Sequence, residues 1–226
     1  MDAPMVKKLL RRLGPGTGED AAAEGSAAAT DLDSADSGFF TTLFMEREGD
    51  TPPLATWRDR AGQIQALAVP RPRGEALFQA VWAEEKHTAA LGPEGLLRLG
   101  HYLEFVQIAS EREVIVQDEQ GDFLIIVLEG ALAVDRVQPL GARARLGEAH
   151  PGDLLGEMSL LDAGARFSAC RTLKTSTLAI LEAGALDRMM ANDPRLAAAL
   201  LATLARRLSL RLRQSSARLS TLLAQQ

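Results

Sequence analysis

The spacing of hydrophobic positions changes character several times along the chain. Up to residue 38, large apolar side chains are sparse. "VKKLLRRL" at 6–13 reads as two turns of basic amphipathic helix, and "GPGTGEDAAAEGSAAATDLDSADSG" at 14–38 holds almost none. Eight residues make a marginal helix alone, suited to a membrane surface or a partner only if either supplies the rest of the stabilisation. The second stretch buries too little surface to offset chain entropy, which predicts disorder. Residues 39–73 mix Phe39, Phe40, Phe44 and Trp57 with Pro52, Pro53, Pro70 and Pro72, the composition of a linker with adhesive aromatics. The expected division is a largely disordered acidic arm and linker over 1–74 and a folded domain over 75–226.

From Glu75 the spacing becomes helical. Leu77, Val81 and Trp82 share a face, and Pro93 opens a second helix that would bury Leu96, Leu97, Leu99 and Leu103. Short apolar runs follow: "EFVQIA", "EVIVQD", "DFLIIVLEG", "ALAVDRV", "ARARLGEAH" and "CRTLKTSTLAIL". Turn signals separate them at Gln120-Gly121-Asp122, Glu129-Gly130, Pro139-Leu140-Gly141, Pro151-Gly152-Asp153 and Asp162-Ala163-Gly164. Strands at this spacing predict a sandwich or barrel. "FLIIVL" is apolar on both faces, as in a strand covered on each side. Helical spacing returns at Ala185, and Pro194 opens a last helix running to about Leu223. Along it Leu201, Ala205, Leu208, Leu212, Ser215, Leu219 and Leu222 form a heptad seam. That seam either packs on its own β-domain or pairs two copies; the length of the helix and its large apolar face favour a homodimer. The fold class is mainly β with flanking α: helices over 75–103, strands over 104–182 and C-terminal helices over 185–223.

Charge sharpens this division. Residues 14–50 hold nine acids (Glu19, Asp20, Glu24, Asp31, Asp33, Asp36, Glu46, Glu48, Asp50) against Arg47. After Asp193 there is no acid, but there are six arginines: Arg195, Arg206, Arg207, Arg211, Arg213 and Arg218. These are solvated faces, or arm and helix touch, or the arginines meet an anion. The net charge of −5 gives no reason to expect nucleic acid as a partner. One cysteine, Cys170, excludes an intrachain disulfide and favours a reducing, cytoplasmic setting. No apolar run has the roughly 18 residues of a membrane span. His87, His101 and His150 are isolated, so no metal set is expected. His87 reads as exposed on a helix, His101 as a packing residue before a strand, and Cys170 as a buried, inert thiol. No catalytic residues, no enzyme activity and no cofactor are expected.

The stretch with the most chemistry is "GEMSLLDAGARFSA", residues 156–169. Gly156 allows close backbone approach, and Glu157–Leu161 would form one helical turn. Arg166 offers a planar, permanently charged fork for phosphate oxygens, while Glu157 can accept from a sugar hydroxyl. The pair reads as a ribose-phosphate clamp or as a surface ion pair beside a turn.

This stretch resembles the phosphate-binding cassette of cyclic nucleotide-binding domains: Gly-Glu-(Leu/Met)-(Ala/Ser)-Leu, a short loop, then Pro-Arg-(Ala/Ser/Thr)-Ala. "DEQGDFLIIVLEGALAV", with Gly121 and Gly130, resembles the family's strand–strand segment. "AHPGDLLGEMSLL" resembles the entry to the cassette, and "NDPRLAAALLATLARRL" the closing helix. The likeness runs from about Leu91 to Leu212. It implies an eight-stranded, jelly-roll-like β-roll with N-terminal helices and a long C-terminal helix. It also implies ligand contacts from Gly156, Glu157 (to the ribose 2′-hydroxyl), Met158, Ser159 and Arg166 (to the cyclic phosphate). Arg211, Gln214, Ser215 and Ser216 become candidates for capping the base. Two positions depart from the pattern. Ala165 stands where the family has proline, and Phe167 where it has a small residue; either Ser168, one place later, supplies the missing hydroxyl, or the Phe167 ring intrudes on or lines the base pocket as a ligand contact. The resemblance implies a cytoplasmic cyclic-nucleotide sensor that signals through its last helix to a downstream protein. Its ligand would be cAMP rather than cGMP, because the threonine that favours guanine is absent. The alternatives are a degenerate pocket kept for protein contacts, or a site for another nucleotide such as a cyclic dinucleotide. About fourteen residues follow Leu212 in this sequence and continue its leucine spacing, which argues against a DNA-reading helix-turn-helix here.

Overall fold

A computed structural model describes residues 39–41, 54–84, 88–138 and 140–224. The amphipathic stretch at 6–13, the acidic arm at 14–38 and His87 lie outside these residues. The elements in chain order are β1 (Leu54–Ala55), α1 (Trp57–Ile64), β2 (Leu67–Ala68), α2 (Arg71–Ala83) and α3 (Gly92–Gly100). The strands β3 (Glu104–Ile108), β4 (Glu113–Ile115), β5 (Gln120–Gly121), β6 (Phe123–Glu129), β7 (Leu132–Val137), β8 (Arg143–Ala149) and β9 (Leu154–Leu155) follow. Then come α4 (Glu157–Asp162), β10 (Ala169–Thr172), β11 (Ser176–Glu182), α5 (Ala183–Asn192) and α6 (Pro194–Leu223).

Two antiparallel sheets make a β-roll. One has the order β4-β10-β7-β8 and the other β2-β3-β11-β6-β9; without the short β2 they hold eight strands. Strand β6 shows why "FLIIVL" is apolar throughout. Leu124, Ile126 and Leu128 face a core shared with the helices, where Phe78, Trp82, Leu99, Leu186 and Leu200 pack. Phe123, Ile125 and Val127 face the interior of the roll with Val114, Ile115, Leu132, Leu155 and Ile180. Alternate residues of a strand point to opposite faces, so one uninterrupted run supplies both cores.

The structure departs from three expectations of the sequence. The domain does not begin at 75. Residues 54–74 are built into it: β1 pairs in parallel with β5, β2 pairs with β3, and α1 buries Trp57, Arg60 and Ile64. Thr56 caps α1, its hydroxyl accepting from the Asp59 N–H at 3.2 Å. Further upstream, Phe40 is buried in the helical core, and the Asp187 carboxylate on α5 accepts from the Phe40 and Thr41 N–H groups at 2.8 Å each. Leu97 is half exposed, because α3 turns Leu96 and Leu99 inward instead. His101 is exposed at the end of α3 rather than packed.

The last helix starts where Pro194 predicts. Asp193 caps it, accepting from the Leu196 N–H at 3.1 Å. Its domain-facing stripe is Leu196, Ala197, Leu200, Thr203 and Leu204; beyond Leu204 none of its described residues is buried. The heptad seam is therefore largely a different face. Leu212, Leu219 and Leu222 are each more than half exposed.

Candidate nucleotide site

The cassette is formed by backbone geometry before any charge is involved. Gly156 takes a left-handed conformation (φ 80°), which re-aims the chain from β9 into α4, and Ala163 (φ 51°) ends that helix. Glycine meets no Cβ penalty there. Beside this turn lies a cavity of about 790 Å³. Its walls include Gly156, Glu157, Met158, Ser159, Arg166, Phe167 and Ser168 from the cassette and Arg211, Gln214 and Ser215 from α6. The structure thus brings every sequence-derived site candidate except Ser216 around one space. Ile115, Val134 and Leu155 add apolar wall.

The charged residues do not reach into that space as the clamp reading expects. Arg166 is 1% exposed, one of the largest fully buried side chains. Its Nη1 donates to the Gly156 carbonyl at 2.8 Å and its Nη2 to the Phe123 carbonyl at 2.7 Å, while Nε is buried without a partner. The guanidinium lies over the Phe123 ring, 4.7 Å from its centroid, and Trp57 meets the same ring edge-on at 5.2 Å. Two glycines make room for it. A Cβ on Gly121 would sit 2.5 Å from Nη2, and one on Gly156 would sit 2.5 Å from Nη1. Burial lowers the Arg166 pKa to about 10, opposed by Glu119, Cys170, Asp122 and Glu157, so the group stays charged at neutral pH.

Glu157 is buried too, and α6 has claimed it. Arg211 Nη1 donates to Glu157 Oε1 at 2.5 Å and Arg211 Nη2 to the Leu154 carbonyl at 2.9 Å. One turn earlier Arg207 donates to the Gly152 carbonyl at 2.9 Å. Arginine side chains thus tie the last helix to the entry and first turn of the cassette. Ser159 is buried, Ser168 is half-buried, and Met158 and Phe167 are about half exposed. Cys170 is buried in the wall, and burial pushes its thiol up to about 12, so it is not a thiolate at physiological pH. Sequence reasoning did not assign Phe123, Trp57, Arg136 or Arg207 to the site. The signal for the first two was the need of a buried arginine for an aromatic face and small neighbours.

The site is thus a β-roll flanked by helices, with a Gly-Glu turn and a buried arginine beside a cavity that the last helix helps to line. Residues 105–193 match the family model of the cyclic nucleotide-binding domain. It is 31% identical over 116 residues to a CRP-like cAMP-activated global transcriptional regulator of Mycobacterium tuberculosis, covering 51% of this chain and 52% of that one. The chain spans about half the length of the curated relative it matches. Among solved structures, a cyclic nucleotide-binding domain from Methylobacillus flagellatus aligns with a TM-score of 0.61 at 23% identity, over 68% of this chain and 85% of that one. The N-terminal domain of a Streptomyces coelicolor transcriptional regulator aligns with a TM-score of 0.52 at 31% identity, over 58% and 94%. Among the described residues no helix is long and apolar enough to cross a membrane.

Proposed function

We propose that this chain is a cytoplasmic cyclic-nucleotide sensor, cAMP its first ligand and cGMP a weaker one, that signals through α6. One observation carries the reading: ten candidate residues, chosen from the sequence, line a single cavity against which a buried carboxylate and a buried guanidinium are set. Glu157 would take the ribose hydroxyl and Arg166 the cyclic phosphate. Arg166 spends one N–H each of Nη1 and Nη2 on backbone carbonyls, and its Nε is buried without a partner, so a phosphate would have to reach the guanidinium through the cavity wall. The link from ligand to output is Arg211, because it holds the same carboxylate the ribose would use. A ligand shifts a conformational equilibrium only through unequal affinity for the two states, and competition for Glu157 supplies that inequality.

The exposed leucines of α6 support a homodimer through this helix, with a downstream protein reading its position. The second reading, a pocket kept for protein contacts, draws on the same geometry: both charged residues already have internal partners. Calorimetric titration with cAMP, cGMP and a cyclic dinucleotide separates the readings. Micromolar binding of cAMP is expected. No heat with any ligand up to millimolar concentration overturns the sensor reading, and preference for the dinucleotide reassigns the ligand.

A further inference from the structure

Phe167 is the position where the cassette departs most from its family pattern, and its surroundings give it a role. The side chain is 55% exposed and lines the cavity. Behind it the Arg136 guanidinium lies 4.1 Å from the ring centroid, and Nη1 of the same arginine donates to the Phe167 carbonyl. Arg136 does not line the cavity. It belongs to a separate groove on β4 and β7, formed with Gln117, Val137 and Arg143, and Phe167 does not line that groove. The ring is therefore a partition, with a cation on one side and the ligand space on the other.

We propose that Phe167, braced by Arg136, is a stacking platform for the base of the bound nucleotide, and so a residue that sets base preference. This rests on the nucleotide reading above and extends it. An exposed ring fixed from behind loses little freedom when a base covers its open face. A cation on the rear face draws ring electron density away from the front, which suits an electron-rich purine. Exposed Met158, Leu146 and Leu212 line the same cavity and can cover the edges of a flat base. A two-ring purine overlaps such a surface more than a single-ring pyrimidine does.

The test compares wild type, Phe167→Ala and Phe167→Trp by titration with cAMP and with cUMP, with thermal melts as a check on folding. Base–aromatic stacking typically amounts to about 5- to 150-fold in affinity on removal of the ring. Phe167→Ala should lose cAMP affinity in that range and narrow the cAMP-over-cUMP preference. Phe167→Trp should keep affinity within a few-fold, and its indole fluorescence should be quenched on cAMP binding. Unchanged or tighter cAMP binding by Phe167→Ala overturns the platform while leaving the nucleotide reading intact. This includes the case where wild type is silent and the alanine variant binds, which would make the ring a plug. If wild type and both variants are all silent, the platform and the nucleotide reading fall together.

Discussion

Arg211→Ala gives the sharpest test of how α6 is coupled to the site, because capping and latching predict opposite signs. If Arg211 caps a bound base, removing it weakens binding. The structure shows it elsewhere, on a Glu157 side chain that is 5% exposed and on the Leu154 carbonyl. Hydrogen bonds to a charged group contribute about 1.5–3 kcal/mol. Arg211 itself is 51% exposed, so solvent screening places this one near the lower bound, about 1.5 kcal/mol. A ligand whose ribose needs Glu157 must first break that bond. In Arg211→Ala the carboxylate is already free and underpartnered, and cAMP should bind about tenfold more tightly. The same loss should lower the melting temperature of the ligand-free protein by about 3–6 °C, and added cAMP should recover more than that. Calorimetry and a melting series with and without ligand measure both quantities. Equal or weaker cAMP binding by Arg211→Ala refutes the latch and returns Arg211 to the roof of the base pocket.

Three further outcomes follow from particular contacts. Gly121→Ala places a Cβ 2.5 Å from the Arg166 guanidinium at an ordinary backbone conformation, so it should lower both melting temperature and cAMP affinity. Gly121→Ser should do at least as much, and a variant that leaves affinity untouched removes Arg166 from the phosphate role. The Asp122 carboxyl has one oxygen buried without a partner, and burial holds its pKa above the ordinary 3.8 despite nearby backbone N–H groups and Arg166. Its contribution to stability is therefore fully present below 3.8 and is lost as pH rises through the raised value. Asp122→Asn should melt higher than wild type at pH 7, with the gap closing toward pH 4; a gap independent of pH contradicts the assignment. Leu212→Asp with Leu219→Asp should convert a dimer to monomer in sedimentation equilibrium while leaving the melting of the β-roll nearly unchanged, since both side chains are more than half exposed in the single chain.

Much of the roll was legible because its signals are local. The uninterrupted run in β6, the turn glycines and the heptad spacing in α6 each follow from residue types within about a dozen positions, as does the Gly-Glu turn. Residues 54–74 were not legible as part of the domain because nothing local marks them. β1 and β2 are two residues each, and α1 is only eight long. What orders them is distant in sequence: Trp57 against Phe123, Arg60 paired with Glu119, and Leu54–Ala55 along Gln120–Gly121. The direction of the Arg166 side chain was hidden for a similar reason. Residue type says that a guanidinium can grip a phosphate. It does not say that two carbonyls, at Gly156 and Phe123, hold it first.

The two internal partnerships in the site differ in how easily they give way, and this difference assigns them different work. Arg166 is 1% exposed, fixed by two carbonyls and a ring, and closed in by two glycines. Moving it would empty a large volume in a packed interior, where lost contacts are costly. It belongs to the fixed frame. Arg211 extends from the half of α6 that has no buried residue, and its bonds to Glu157 and Leu154, with Arg207 on Gly152, tie that half to the cassette. With few buried contacts, such a segment is expected to open at lower cost than the core. On the proposed reading, a ligand that took Glu157 would loosen α6 while the cassette beneath it kept its shape. The exposed leucines on that same half-helix would then change their position relative to the roll, the form in which a second copy or a partner would read occupancy of the pocket on that reading.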